Sequence, residues 1–349
     1  MQIRKPRHSS TETMQTNLQQ KKNALRKALF FVAGILGILL LVPAIRENAA
    51  LAESFLRTGP DIPHMLIAVS LCLTNQVTTM LRWMLMARAA GIAVSVRDSF
   101  SLGVAGEAGN LFMPVGSGGD AVKIAMAAGT GHSAGRCFAA TLADRTVGLM
   151  GLATVALTAS GTGWLTGHHQ TQTFFCLLCG FLVAMSACIT VALHPQWWLV
   201  LFRHVGSEWK VVRLLLQLSA PFAELRRHLS TLLFAFALSI ACNFSTLLIL
   251  HFSGMAISRT QAPPLLTTLV AGPLALASTT LPLPFGALGV AEQIGQYTFS
   301  TLGSDGGALM LLGYRFCVLI SVHVLLFVAA ILRLRRTKTV SRLTERLSE

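Results

Sequence analysis

Eight ionisable side chains stand inside or beside long apolar stretches of this chain: Arg82, Glu107, Asp120, Lys123, Asp144, Arg145, Glu292 and Arg315. A charge near the centre of a bilayer costs roughly 2.5–3.5 kcal/mol even on lenient scales, so such groups must pair with one another or line a polar cavity. Asp120 and Lys123 lie three apart on a helix that opens after Gly118 and Gly119, and therefore share a face. A glycine-rich break opening into a helix leaves free backbone amides and a positive helix end, an arrangement that suits an anionic group such as phosphate. Lys123, Arg145 and Arg315 add point charges to such a site. Other readings stay open. Arg82, followed by Trp83 and Arg88, also has the make-up of an interfacial anchor. Asp144 and Arg145 are adjacent, point about 100° apart on a helix and need separate partners. A structural pair with Asp120, Lys123 or Arg315 competes there with a substrate role. His168 and His169 read as solvated loop residues, His251 and His323 as hydrogen-bonded core histidines.

The elements that must position these charges are membrane helices. The chain has 349 residues, 53% of them hydrophobic and 12% charged, with a mean hydropathy of +0.62. A water-soluble globule would have to hide too much apolar surface, which leaves an all-α integral membrane protein. The net charge of +14 is concentrated at the ends rather than spread as a nucleic-acid footprint. Residues 1–27 carry Arg4, Lys5, Arg7, Lys21, Lys22, Arg26 and Lys27. Residues 333–349 carry Arg333, Arg335, Arg336, Lys338, Arg342 and Arg346, and only Glu12, Glu345 and Glu349 oppose these thirteen. Basic flanks stay cytoplasmic, so both termini are expected inside and the number of full crossings is expected to be even. Six spans are expected: 28–45, 62–81, 137–160, 171–193, 229–253 and 308–332. The 161–170 link, free of Asp, Glu, Lys and Arg, reads as outside. The 194–228 segment, with Arg203, Lys210, Arg213, Trp197, Trp198 and Trp209, reads as an interfacial cytoplasmic stretch.

Two apolar segments, 99–128 and 265–302, are broken by proline and glycine. The first runs through Asn110, Pro114, Gly116, Gly118, Gly119 and Asp120; the second through Pro282, Pro284, Gly286, Gly289 and Glu292. Irregular backbone at membrane depth is tolerated only where protein or a water-filled cavity satisfies it, so both are expected to be re-entrant pairs of half-helices. A shift of 170 residues lays Leu111 on Leu281, Pro114 on Pro284, Gly116 on Gly286, Gly119 on Gly289, Ala121 on Ala291 and Ile124 on Ile294. It continues without a gap to Leu142 on Leu312, Arg145 on Arg315 and Leu149 on Leu319. These nine identities over 110–150 exceed the roughly three that composition alone provides. With the N-terminus inside, the first broken pair enters from the cytoplasm and the second from outside. The expected domain, 28–332, is therefore an inverted repeat with halves at about 28–160 and 171–332, between basic tails at 1–27 and 333–349.

Cys72, Cys137, Cys176, Cys179, Cys188, Cys242 and Cys317 all fall in or at the edge of apolar runs and read as small buried side chains. Cys176 and Cys179 form a C-x-x-C without a basic neighbour to activate a thiol. The long polar leader and the full-length span after it do not read as a secretory signal.

These residues resemble the transmembrane flippase-like domain of lysylphosphatidylglycerol synthases and the stand-alone bacterial inner-membrane proteins that share it. The matching pieces are Leu81-Arg82-Trp83 with Gly91, Asn110 with Pro114, Gly118-Gly119-Asp120, and Lys123 where arginine is usual. Ala143-Asp144-Arg145 with Gly148-Leu149, Pro284 with Gly286, Gly289-Val290, Glu292 and Tyr314-Arg315 complete them. They run from the second expected span to the last. The resemblance implies a lipid-translocating domain with these residues at its polar core. No soluble aminoacyl-transferase domain follows Arg336, so the chain is not expected to be a synthase by itself.

The expected function is that of a bacterial inner-membrane lipid flippase or transporter. It would move a phospholipid-like or polyprenyl-linked amphiphile whose head group meets Arg82, Asn110, Gly118, Gly119, Asp120, Lys123, Asp144, Arg145, Glu292 and Arg315. Pro114, Gly116, Pro284, Gly286 and Gly289 would form the breaks. No cofactor, metal or nucleic-acid partner is expected. Transport would be downhill or ion-coupled, with Asp120, Asp144 or Glu292 as the coupling carboxylate. One alternative is a non-transporting subunit that anchors or regulates a lipid-modifying or glycosyl-transferring enzyme. Another is an intramembrane enzyme using Glu292 or Asp120 as base, without the nucleophile or metal ligands such chemistry needs.

Overall fold

The computed structural model describes residues 32, 34–43, 45–112, 118–194, 220–258, 262–281 and 283–348. Pro114 and Gly116, most of the 194–228 stretch and the basic N-terminal tail lie outside these residues. All regular structure among the described residues is helical. Helix α1 (Gly34–Glu47) meets α2 (Ala49–Thr58) at 83°. There follow α3 (Ile62–Ala89), α4 (Val96–Phe112), α5 (Gly118–Gly129), α6 (Ala134–Leu165) and α7 (Thr171–Leu193). The last four are α8 (Leu229–Ile257), α9 (Leu265–Ser278), α10 (Val290–Ser300) and α11 (Gly307–Ser348).

Five of these are long and apolar enough to cross a membrane: α3, α6, α7, α8 and the Gly307–Leu332 part of α11. A sixth span is reached if the bent pair α1–α2 is taken as one, and the expected crossing over 28–45 lies partly outside the described residues. Asn48 marks the corner, and beyond it α2 carries Glu53 and Arg57, an exposed ion pair one turn apart. α7 coincides with its expected span, 171–193, and the other four outrun the apolar runs that announced them. α3 continues past Leu81 to Ala89 and so carries Arg82 within the bundle instead of at its edge. α11 continues past Leu332 through the basic tail to Ser348.

The long helices are apolar all round, as buried or membrane-crossing helices are, and their hydroxyls fold back on their own backbone. Thr74, Thr78, Thr146, Thr154 and Thr246 each donate to the carbonyl four residues earlier, which keeps these hydroxyl protons from facing hydrocarbon unpaired. α4 opens with a reciprocal cap: Ser95 donates its amide and hydroxyl to Asp98, and Asp98 donates its amide to the Ser95 hydroxyl. Those bonds hold the Asp98 carboxyl below its usual range.

α8 is the hub, packed on α3, α6, α9 and α11. One apolar core joins Trp83, Ala87, Leu102, Ala127, Cys137 and Ala140 from α3 to α6. A second joins Val155, Leu247, Leu250, Ala271, Phe299 and Leu311 from α6 to α11. α7 packs on α6 through Phe175, which lies 5.7 Å from Trp164 between ring centroids, and of its residues only Thr171 is buried. Cys72, Cys137, Cys242 and Cys317 are buried as expected, but Cys176 and Cys188 are exposed on α7. That helix turns most of its surface away from protein, so a side chain on it is covered only by whatever surrounds the bundle.

The 170-residue shift reappears in the element boundaries. Moving α3, α4, α5 and α6 forward by 170 gives 232–259, 266–282, 288–299 and 304–335. The observed helices are Leu229–Ile257, Leu265–Ser278, Val290–Ser300 and the start of Gly307–Ser348. Four consecutive elements thus recur in order, and each half holds one pair of short helices around a break: α4 with α5, and α9 with α10.

Candidate functional site

Each short-helix pair presents an acid in the first turn of its second helix to an arginine on the following long helix. In the first half Arg145 of α6 donates Nε to Asp120 Oδ2 of α5 at 2.7 Å. In the second half Arg315 of α11 donates Nε to Glu292 Oε1 of α10 at 2.6 Å. The arginines are equivalent under the repeat. The acids sit two positions out of register, and both solve the same problem of a cation inside an apolar helix bundle.

The two pairs differ in how completely they are enclosed. Glu292 is fully buried and its other oxygen accepts the Gly289 amide at 2.5 Å, satisfying the backbone donor at the start of α10. Arg315 spends a second donor, Nη2, on the Gly286 carbonyl at 2.8 Å. The second break is a run of left-handed backbone, with φ of +54° at Phe285, +63° at Gly286, +56° at Ala287 and +86° at Gly289. Such conformations persist where the surroundings over-determine them, and here the Arg315–Glu292 clasp does so. α1 then covers the break. Gly289 meets the carbonyl of Gly37 so closely that a Cβ would collide with it, and Gln293 donates to the Leu40 carbonyl at 2.8 Å.

In the first half the arginine is less enclosed. The Arg145 side chain is 47% exposed against 23% for Arg315, and its Nη groups have no hydrogen bond among the described residues. Lys123, which the repeat places opposite Gln293, has no ion pair or hydrogen bond among them either; its stem lies against Gly106, where a Cβ would collide with it. Asn110 reaches across the break to accept the Gly119 amide at 2.8 Å, capping α5 from α4. Gly119 is obligatory for that approach, because a Cβ on it would strike the Gly106 carbonyl and the Asn110 side chain. Glu107, one residue beyond Gly106, is part-buried and has no polar partner among the described residues.

Arg82 and Asp144 form a third pair of a different kind. Arg82 Nε and Nη2 reach Asp144 Oδ1 and Oδ2 at 2.7 and 3.1 Å, and Nη1 reaches Ser239 Oγ at 3.0 Å. Ser239 donates to the Val147 carbonyl, and Asn243 to the Gly148 carbonyl. Arg82 is 7% and Asp144 8% exposed, so the arginine is no interfacial anchor but a buried staple across α3, α6 and α8. The repeat puts Phe252 and Tyr314 at these two positions, and both pack on the same apolar cluster around Cys72 and Cys317. One half therefore joins its helices by an ion pair where the other uses aromatic packing.

The structure thus brings together Asn110, Gly118, Gly119, Asp120, Lys123 and Arg145 around the first break, and Gly286, Gly289, Glu292 and Arg315 around the second, beside Pro284. Arg82 and Asp144 stand apart as the staple. Ser239, Asn243 and Gln296 escaped the sequence reading. Gln296 accepts from Asn48 at 3.0 Å and from the Ala308 amide at 3.3 Å, tying the α1–α2 corner to α10 and α11. Amides and serines inside apolar runs were the available signal, since each must find a partner when buried. His251 and His323 are hydrogen-bonded, to Thr268 and to the Leu319 carbonyl.

The family model described as Lysylphosphatidylglycerol synthase TM region matches residues 28–325. No curated protein and no solved structure matches the chain.

Proposed function

The chain belongs to the Lysylphosphatidylglycerol synthase TM region family, a multi-pass membrane family, and from that premise we propose that it translocates a lipid with an anionic head group. The observation that carries this reading is the inequality of the two breaks. The second is covered by α1 and clasped by Glu292 and Arg315; in the first, among the described residues, Lys123 has no partner and Arg145 has spare donors beside the N-terminus of α5. A lysine without a counter-ion among the described residues, next to an arginine whose single acid partner leaves donors over, calls for a mobile anion, and a helix N-terminus beside them supports phosphate. Acyl chains would remain in the bilayer while the head group passes through the polar site.

In this reading α1–α2 completes a sixth crossing, both termini are cytoplasmic in a bacterial inner membrane, and the α4–α5 and α9–α10 hairpins are re-entrant from opposite sides as inverted halves. Lys123, Arg145, Asp120 and the Gly118 amide meet the head group, while the Gly119 amide stays on Asn110. Arg82–Asp144 and Arg315–Glu292 hold the walls. The protein transforms no covalent bond. The name of the family joins this region to a synthase, which supports a second reading, a membrane subunit that anchors or regulates a lipid-modifying enzyme.

Purified protein in liposomes carrying a headgroup-intact, tail-labelled fluorescent phosphatidylglycerol separates the two. Translocation is expected to make inner-leaflet probe accessible to an external quencher, and Lys123→Met is expected to lower the rate at least tenfold. Wild-type protein that leaves the probe as protected as empty liposomes do would favour the subunit reading.

A further inference from the structure

Three of the four intramembrane acids are committed to arginines: Asp144 to Arg82, Asp120 to Arg145 and Glu292 to Arg315. The carboxylates that the sequence suggested for ion coupling are therefore the ones that already have arginine partners. Glu107 is the remaining one, and among the described residues it has neither an ion pair nor a hydrogen bond.

Its surroundings are specific. α3 and α4 are joined by the short 90–95 turn and run back along each other. Ser99 donates to the Met80 carbonyl at 2.7 Å, and Gly103 packs on the Met80 side chain. One helical turn from Met80 leads to Gln76, and one turn from Gly103 leads to Glu107, at the same level of the bundle. There Gln76, 8% exposed, gives its amide nitrogen to Ser321 Oγ at 2.8 Å, and Cys72 Sγ lies 3.1 Å from the same hydroxyl. Among the described residues the Gln76 oxygen is buried without a donor. So is the oxygen of Asn75, whose nitrogen is taken by Thr246 at 3.0 Å. Buried amide oxygens need donors, and an ionised carboxylate offers none, whereas a protonated one offers its O–H.

We infer that Glu107 is a proton-carrying carboxylate, which in its acid form donates to the orphaned amide oxygens of α3 and in its ionised form turns to Arg145 and Lys123. The inference rests on the translocation reading for its role and on this polar cluster for its existence. The only bond made or broken is the carboxyl O–H, with the proton taken up from water on one side and returned to water on the other. The charged and titratable groups within electrostatic reach of Glu107 are Cys72 of α3, Arg145 of α6 and Tyr314 of α11, and the Lys123 stem of α5 lies against the adjacent Gly106. Asp120 already offsets part of the Arg145 charge. A head-group phosphate taking the spare Arg145 donors removes the attraction that keeps Glu107 ionised, so anion and proton binding reinforce each other. One carboxylate and two amide oxygens meet the needs of a proton but are too few to replace the hydration shell of a metal ion.

Infrared difference spectroscopy of the purified full chain, titrated from pH 8 to pH 5, tests the site without any transport. A protonated-carboxyl stretch that shifts in heavy water is expected in wild type, lost in Glu107→Gln and retained in Asp120→Asn and Glu107→Asp. Size-exclusion behaviour of Glu107→Gln reports whether it folds. If that variant is misfolded, an altered band position in Glu107→Asp carries the assignment. A band absent from wild type, or unchanged in both Glu107 variants, overturns the proton site. In liposomes with the fluorescent phosphatidylglycerol, a one-unit pH gradient, about tenfold in proton activity, is expected to speed wild-type translocation severalfold and to leave Glu107→Gln unaffected. A rate that follows a sodium gradient at constant pH overturns the proton assignment. A Glu107-dependent band with no translocation by wild type keeps the proton site and overturns the translocation reading instead.

Discussion

Arg145 and Arg315, 170 positions apart in the chain, hold acids in the first turn of matching helices at 2.7 and 2.6 Å, yet one arginine is twice as exposed as the other. Near-equal pairing with unequal cover separates holding a structure from serving a ligand. Arg315 uses its donors on Glu292 and on the left-handed break, and α1 lies over that break. Arg145 keeps donors in reserve.

The first prediction follows from that contrast. Glu292→Gln is expected to lower the detergent melting temperature markedly, because it leaves Arg315 part-buried without its counter-ion. Breaking a buried pair in this way costs roughly 3–5 kcal/mol. Lys123→Met is expected to melt close to wild type while failing in the liposome assay. Equal melting of Glu292→Gln and wild type would remove the clasp from the account.

The Arg82–Asp144 staple supplies the second. Arg82→Met alone and Asp144→Asn alone should each destabilise, since each strands a buried partner. The double variant Arg82→Phe with Asp144→Tyr installs the residues that the repeat carries at these positions. It should melt above either single variant, and a double variant no better than the worse single would argue against equivalence of the two halves.

Glycine positions give the third. Gly289→Ala places a Cβ against the Gly37 carbonyl at a φ of +86°, and little folded protein is expected. Gly129→Ala meets nothing within 4 Å and should behave as wild type. Fluorescence-detected size exclusion in detergent distinguishes these outcomes.

Topology gives the fourth. In a background without native cysteines, Gly167→Cys is expected to react in intact cells with an impermeant thiol reagent, and Val340→Cys only after permeabilisation. The native thiols must be removed because Cys176 and Cys188 are exposed on α7. Labelling of Val340→Cys from outside would invert the orientation.

Residue type and spacing alone determined the class of this protein, the apolar segments, the two broken ones and the 170-residue shift, which the boundaries of α3–α6 and α8–α11 follow to within about one helical turn up to the start of α11. Those features depend on local runs of apolar side chains and on where proline and glycine interrupt them, and a linear reading captures both. The partners of the charges were settled only in three dimensions. Arg82 and Asp144 are 62 positions apart, and Gly37 and Gly289 farther still. Each long helix is apolar on every side, so no polar stripe fixes its rotation in advance. Which acid an arginine meets depends on how the helices are turned and crossed. For the same reason Glu107, one intramembrane charge among eight in the sequence, stood out only after the other acids had been matched to their arginines.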